Sequence, residues 1–141
     1  MSGHILLNNY LHENDKYSYE KIVLWLNKLL AMEFLGKDVI KKQLSGAFYE
    51  IHGEYEYISI KFTPNSYERY PYNIRVPIGM EAKQLNGNIV DFLLHVINGF
   101  VDEMEIYNMD LTNINGNFNL DNVIYRIDEK VNLIEELNQN E

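Results

Sequence analysis

Cysteine is absent from the 141 residues, which excludes disulfides, thiolate zinc sites and cysteine nucleophiles. Basic residues are scarce: 12 Lys and Arg stand against 21 Asp and Glu, for a net charge of −9. Proteins hold nucleic acid largely through cations on phosphates, so this balance argues against direct nucleic-acid binding. No apolar run approaches the ~18 residues of a membrane span. Met1-Ser2-Gly3-His4 leads into the short Ile5-Leu6-Leu7 without a basic flank, so no export signal is read and a soluble, cytoplasmic protein is expected. No phosphate-binding glycine loop, Ser-His-Asp pattern or EF-hand occurs. The four histidines, His4, His12, His52 and His95, lack metal-ligand spacing.

What is present is a globular composition, 46% hydrophobic and rich in tyrosine, with eleven residues. The length suits one domain over residues 1–141. The strongest local signal is Asn98-Gly99. Both residues tolerate φ > 0, as a two-residue type I′ turn requires, and apolar-rich strands flank them. The strand before the turn is apolar on both sides, with Val90, Phe92, Leu94 and Val96 on one face and Leu93, His95 and Ile97 on the other. It is expected to lie centrally in a sheet. After the turn, Phe100, Met104 and Ile106 share one face, and Glu103, Glu105 and Tyr107 share a face expected to be wet.

Before this hairpin, Tyr19, Ile22, Val23, Leu26, Leu29, Leu30 and Phe34 follow helical spacing, with Ser18 able to cap and Gly36 ending the pattern. Asp38 can cap a second helix, Val39 to Leu44, closed by Ser45-Gly46. Residues 1–16 read as a short helix or an anchoring arm. Strands follow: Ala47 to Ile51 and Tyr55 to Phe62 flank His52-Gly53, a second hairpin signal. Asn73 to Lys83 forms a third strand, in which Pro77 suggests an edge or a bulge. Residues 112–119 read as loop, and Val123 to Ile127 as a short strand before a frayed or helical acidic tail over about 128–141. The expected architecture is α+β, with N-terminal helices packed on one face of an antiparallel meander of about five strands.

The charge is unevenly spread. Residues 1–98 carry 11 acids and 10 bases, whereas residues 99–141 carry 10 acids against Arg126 and Lys130 alone. Such a field raises encounter rates with a basic partner, though it also simply keeps a protein soluble. Glu103 and Glu105 lie about 7 Å apart along a strand, within range of a glycosidase pair. Two carboxylates there are more commonly solvated or paired with a cross-strand Lys or Arg. Asp91 and His95 share a face but stand ~13 Å apart, too far for a proton-transfer pair. A satisfied, half-buried His95 under the helices is expected. Tyr55, Tyr57, Tyr67, Tyr70 and Tyr72 read as an aromatic group suited to an interface or a covered sheet face.

Three segments carry a resemblance: Phe34-Leu-Gly-Lys-Asp with Gln43-Leu44, then Val76-Pro77-Ile78, then Leu93-Leu-His-Val-Ile-Asn-Gly-Phe-Val-Asp-Glu-Met-Glu-Ile-Tyr107. Over roughly residues 20–112 the chain resembles a family of small bacterial proteins with a Leu-Leu-His-Val-x-Asp-Gly-(Tyr/Phe)-Leu-x-Glu-Leu-Glu-(Ile/Phe)-Tyr pattern. It departs from that pattern at Leu35, where the family has Pro, and at Asn98, where it has Asp. Some members are immunity proteins against contact-dependent toxins, among them wall-associated toxins of Bacillus type with a tRNA-cleaving nuclease domain. The resemblance implies a binding protein, not an enzyme, with no catalytic residue, cofactor or metal. Its partner would be a cognate basic toxin domain, met through Asp102, Glu103, Glu105, Tyr107 and Asp110.

Overall fold

The computed structural model describes residues 5–8, 19–54, 56–108 and 113–133. Helix α1 (Tyr19–Leu29) buries Ile22, Trp25, Leu26 and Leu29, and carries Glu20 in its first turn and Lys28 in its last. Those charges complement the helix dipole. The helix stops short of the stripe's end because Ala31 N donates to Lys28 O, a three-residue bond that tightens and closes the last turn. Leu30 and Phe34 are still buried, but from the following turns. Helix α2 (Lys37–Leu44) begins at Gly36, in the left-handed region at φ 80° with no side-chain cap. Asp38, expected as the cap, lies inside the first turn instead. A glycine is required at 36 because a Cβ there would meet Cε1 of Tyr70 at 2.5 Å.

The N-terminal segment is an anchoring arm. Ile5 and Leu7 are buried and Leu6 is exposed. The Asn27 side chain accepts from Ile5 N at 2.7 Å and donates to Ile5 O at 3.0 Å. Gly46 N donates to Leu6 O and Asn8 N to Ala47 O. The expected Ser18 cap lies outside the described residues.

Six strands form one antiparallel sheet: β1 (Phe48–Glu54), β2 (Tyr57–Thr63), β3 (Ile78–Gln84), β4 (Ile89–Ile97), β5 (Phe100–Tyr107) and β6 (Phe118–Ile127). Their order is β1-β2-β5-β4-β3-β6. The fold is therefore α+β, but the sheet has six strands, and only β3, β4 and β5 form a meander. Residues 64–77 carry the chain from β2 past the central hairpin to β3. Three expectations are corrected. His52 and Gly53 are paired residues inside β1, opposite Ser59 and Ile58, and the pairing continues to Glu54 and Tyr57. Pro77 stands just before β3, which is an inner strand between β4 and β6, so its missing N–H interrupts no ladder. Strand β6 begins at Phe118, five residues before the expected Val123, where the aromatic ring packs at 5.2 Å from Trp25 and 5.1 Å from Phe92.

Register separates the faces. Ile58, Ile106, Phe92 and Met80 lie in one cross-strand row, and Ile60, Met104 and Leu94 in the next. All are buried, and Trp25 meets Phe92 at this face, 6.3 Å between ring centroids. Val131 is fully buried beyond the sheet, its carbonyl taken by Leu35 N, so the expected tail is anchored at least that far. Asp128 starts this turn by accepting from Lys130 N.

Candidate binding surface on the polar face of the sheet

At the central turn Asn98 has φ 53° and Gly99 φ 86°, the two left-handed residues of a type I′ turn. Immediately beyond it the ladder slips: His95 faces Glu103, but Val96 faces Val101. Asp102 is the extra residue of a β-bulge, which reverses the side-chain alternation on its N-terminal side. Val101 is therefore buried, at 1% exposure, in the place where strict alternation puts Phe100. Phe100 is half-buried with the Arg69 guanidinium 5.3 Å over its ring.

From Glu103 onward the expected alternation holds, and β2 supplies what lies opposite. Lys61 faces Glu103, Ser59 faces Glu105, and Tyr57 faces Tyr107. Glu103 Oε2 accepts from Ser59 Oγ at 2.5 Å and from the Tyr57 hydroxyl at 3.0 Å. Lys61 Nζ stands 3.5 Å from Glu103 Oε1 and 3.3 Å from Asp102 Oδ2. Glu103 is only 8% exposed, so it is not the solvated carboxylate that a wet face implies. Burial raises its pKa, but the Ser59 and Tyr57 hydroxyls and the charges of Lys61 and His95 outweigh burial and leave it lowered. Burial, followed by bonding to Glu103, pushes the Tyr57 phenol up to about 12. For Lys61, burial pulls downward, and the bond to Asp102 with the charge of Glu103 reverses this to a raised value.

Glu105 is paired differently. His95 Nε2 lies 2.8 Å from Glu105 Oε1, and Arg75 Nε donates to His95 Nδ1 at 3.2 Å. His95 is satisfied and half-buried, as expected, but on the polar face rather than under the helices. Asp91 does not meet it; that carboxylate accepts from Arg126 Nη1 at 2.9 Å, and Arg126 also pairs with Glu81. Tyr107 stands opposite Asp91. Burial, then the charges of Asp91 and Glu105, raise its pKa.

Of the five expected partner-binding residues, Asp102, Glu103, Glu105 and Tyr107 fall on or beside this face, and Asp110 lies outside the described residues. Sequence reasoning missed Tyr57 and Ser59 as partners of Glu103, Arg75 as the donor to His95, and Arg126 as the cation on Glu81 and Asp91. Only the alternation of β2 hinted at the first two. The expected tyrosine group is dispersed. Tyr70 is buried with its hydroxyl on Leu35 O, Tyr72 packs edge-on against it at 5.4 Å, Tyr67 is fully exposed, and Tyr57 serves the polar face. Tyr55 lies outside the described residues.

A carboxylate with a lowered pKa is a poor general acid, so Glu103 is ill suited to the acid role in a glycosidase pair. Among the described residues no group of three or more His, Asp or Glu is placed to hold a metal ion, and no helix is long and apolar enough to cross a membrane. Comparison with family models, with curated proteins and with solved structures finds no match for the chain.

Proposed function

We propose that the chain is a binding protein, a cytoplasmic immunity protein that neutralises the nuclease domain of a cognate toxin by covering its basic active site. The observation that carries this reading is the charge of the polar face. Glu81, Asp91, Asp102, Glu103 and Glu105 share it, and the cations that ion-pair with them are Lys61 and Arg126. A basic partner finds carboxylates already oriented by Ser59, Tyr57 and His95, so little ordering cost remains at encounter. Lys61 and Arg126 are about half exposed, at 47% and 55%, and can swing into solvent as a partner cation takes their place. The resemblance of Leu93 to Tyr107 to immunity proteins, and the acidity after Asn98, support the same reading.

Co-expression with a candidate basic nuclease domain, sought in the gene immediately upstream, tests it, scored by growth rescue and co-purification. Rescue with a 1:1 complex is expected, and an Asp102→Asn/Glu105→Gln double variant should lose on the order of tenfold or more in affinity. A double variant that protects as well as the parent would remove these residues from the interface. The internal pairing of the same acids supports a second reading, an interaction domain whose face charges serve its own sheet. Absence of both rescue and complex would favour that one.

A further inference from the structure

Beside the polar face runs a groove of about 460 Å³ between residues 69–75 and the end of the central hairpin, residues 96–99. In a chain with a net charge of −9, no Asp or Glu lines it, while Arg69 and Arg75 both do. The chain has three arginines. Arg126 is neutralised by two carboxylates; among the described residues neither Arg69 nor Arg75 has a carboxylate at ion-pair distance. Each is instead held by a neutral acceptor. Arg69 Nη1 donates to Asn98 O at 2.6 Å, with its stem over Gly99 and its guanidinium over Phe100. Arg75 lines the groove and donates through Nε to His95, a bond that does not use its two terminal nitrogens.

A carbonyl and an imidazole orient a guanidinium without cancelling its charge. Two oriented, uncompensated guanidiniums in one concavity are the arrangement that recognises an oxyanion, because each planar fork matches two oxygens. Tyr72 and Asn73, also on the wall, add an aromatic surface and an amide. We infer that this groove is a binding site for a small organic oxyanion, a phosphate monoester or a carboxylate. It adjoins the acidic surface proposed for the toxin, with the His95 ring between Arg75 and Glu105, but its occupation does not depend on that proposal.

The test is a nuclear magnetic resonance titration of the full chain at constant ionic strength with inorganic phosphate, phenyl phosphate and acetate in separate arms. Saturable shifts are expected at the Arg69 and Arg75 side-chain N–H groups and at the amides of residues 72–75 and 98–99. Phenyl phosphate should bind more tightly than inorganic phosphate because its ring meets Tyr72. If acetate saturates and phosphate does not, the ligand is a carboxylate; the reverse assigns a phosphate. Arg75→Gln, at an exposed position, should weaken binding on the order of tenfold through loss of a charge-assisted contact. Lys130→Gln should leave it unchanged. Absence of saturable shifts in all three arms up to tens of millimolar, or shifts that Arg75→Gln leaves intact, would overturn the assignment.

Discussion

The main-chain nitrogen of Val101 donates to Oε1 of Gln43 at 2.7 Å, which ties α2 to the far side of the central turn across 58 positions of chain. The other end of that side chain donates to Gly99 O at 2.8 Å and Glu68 O at 2.9 Å, and Gln43 has no exposed surface. One buried amide thus joins a helix, a loop and a hairpin. Gln43→Met keeps the volume but strands the Val101 N–H and the Glu68 carbonyl, whereas the Gly99 carbonyl retains Tyr70 N. Each buried group left unpaired costs about 1–3 kcal/mol, so a loss of about 3 kcal/mol is expected. Urea unfolding measures it as a lower midpoint at unchanged slope.

Glu103 sets a dependence on acid. Its folded pKa lies below the ordinary 4.5, so its contribution is fully present above that value and is lost as pH falls through the folded pKa. Stability measured by urea between about pH 6 and pH 3 should decline less steeply in Glu103→Gln than in the parent. The same variant should lower the Tyr57 phenol from about 12 in a tyrosine titration, while burial keeps it above its ordinary value. Equal slopes, or an unmoved Tyr57, would mean that the two side chains are not coupled.

His95 should be a single tautomer. Arg75 Nε–H points at Nδ1, so Nδ1 accepts and Nε2 carries the proton toward Glu105. Imidazole nitrogen shifts of the neutral ring should report the Nε2–H form. Arg75→Ala/Glu105→Gln, which removes the donor at Nδ1 and the carboxylate at Nε2, should introduce the other tautomer. A dominant Nδ1–H form in the parent would reverse the ring and dissolve the Arg75–His95–Glu105 chain.

The turn residues should differ in tolerance. Gly99→Ala places a Cβ at φ 86° and against the Arg69 stem, and is expected to cost about 2 kcal/mol from left-handed strain and displacement of that stem. Asn98→Gly, at φ 53°, should change the thermal midpoint little.

Local chemistry explains how much of this was legible. Asn98-Gly99 specified the central hairpin because a two-residue turn and its flanking alternation lie within one short window. Ile22 and Leu26 specified α1 for the same reason, although its end depended on one tightened turn at Ala31. The bulge at Asp102 left no mark in the sequence, so alternation assigned Phe100 the buried place that Val101 takes. His52-Gly53 looked like a turn because composition alone cannot tell a reversal from a glycine that lets Tyr57 O approach within 2.8 Å of its absent Cβ. The candidate site was half legible. Glu103, Glu105 and Tyr107 followed from the period of two, but Ser59 and Tyr57, the partners of Glu103, come from a strand whose neighbour only the strand order reveals.

That order has a consequence for behaviour in solution. A single ladder, β2 on β5, joins the β1–β2 ribbon to the other four strands, and the hydroxyls that hold Glu103 reach across it from β2. Protonating Glu103 loosens the crossing at its polar side while the Trp25 cluster on β4 and β6 stays packed. Partial opening there bares two strand edges at once, each able to pair with the same edge of another molecule. Acid strong enough to protonate Glu103, below the ordinary carboxylate range, should therefore drive self-association before it drives global unfolding.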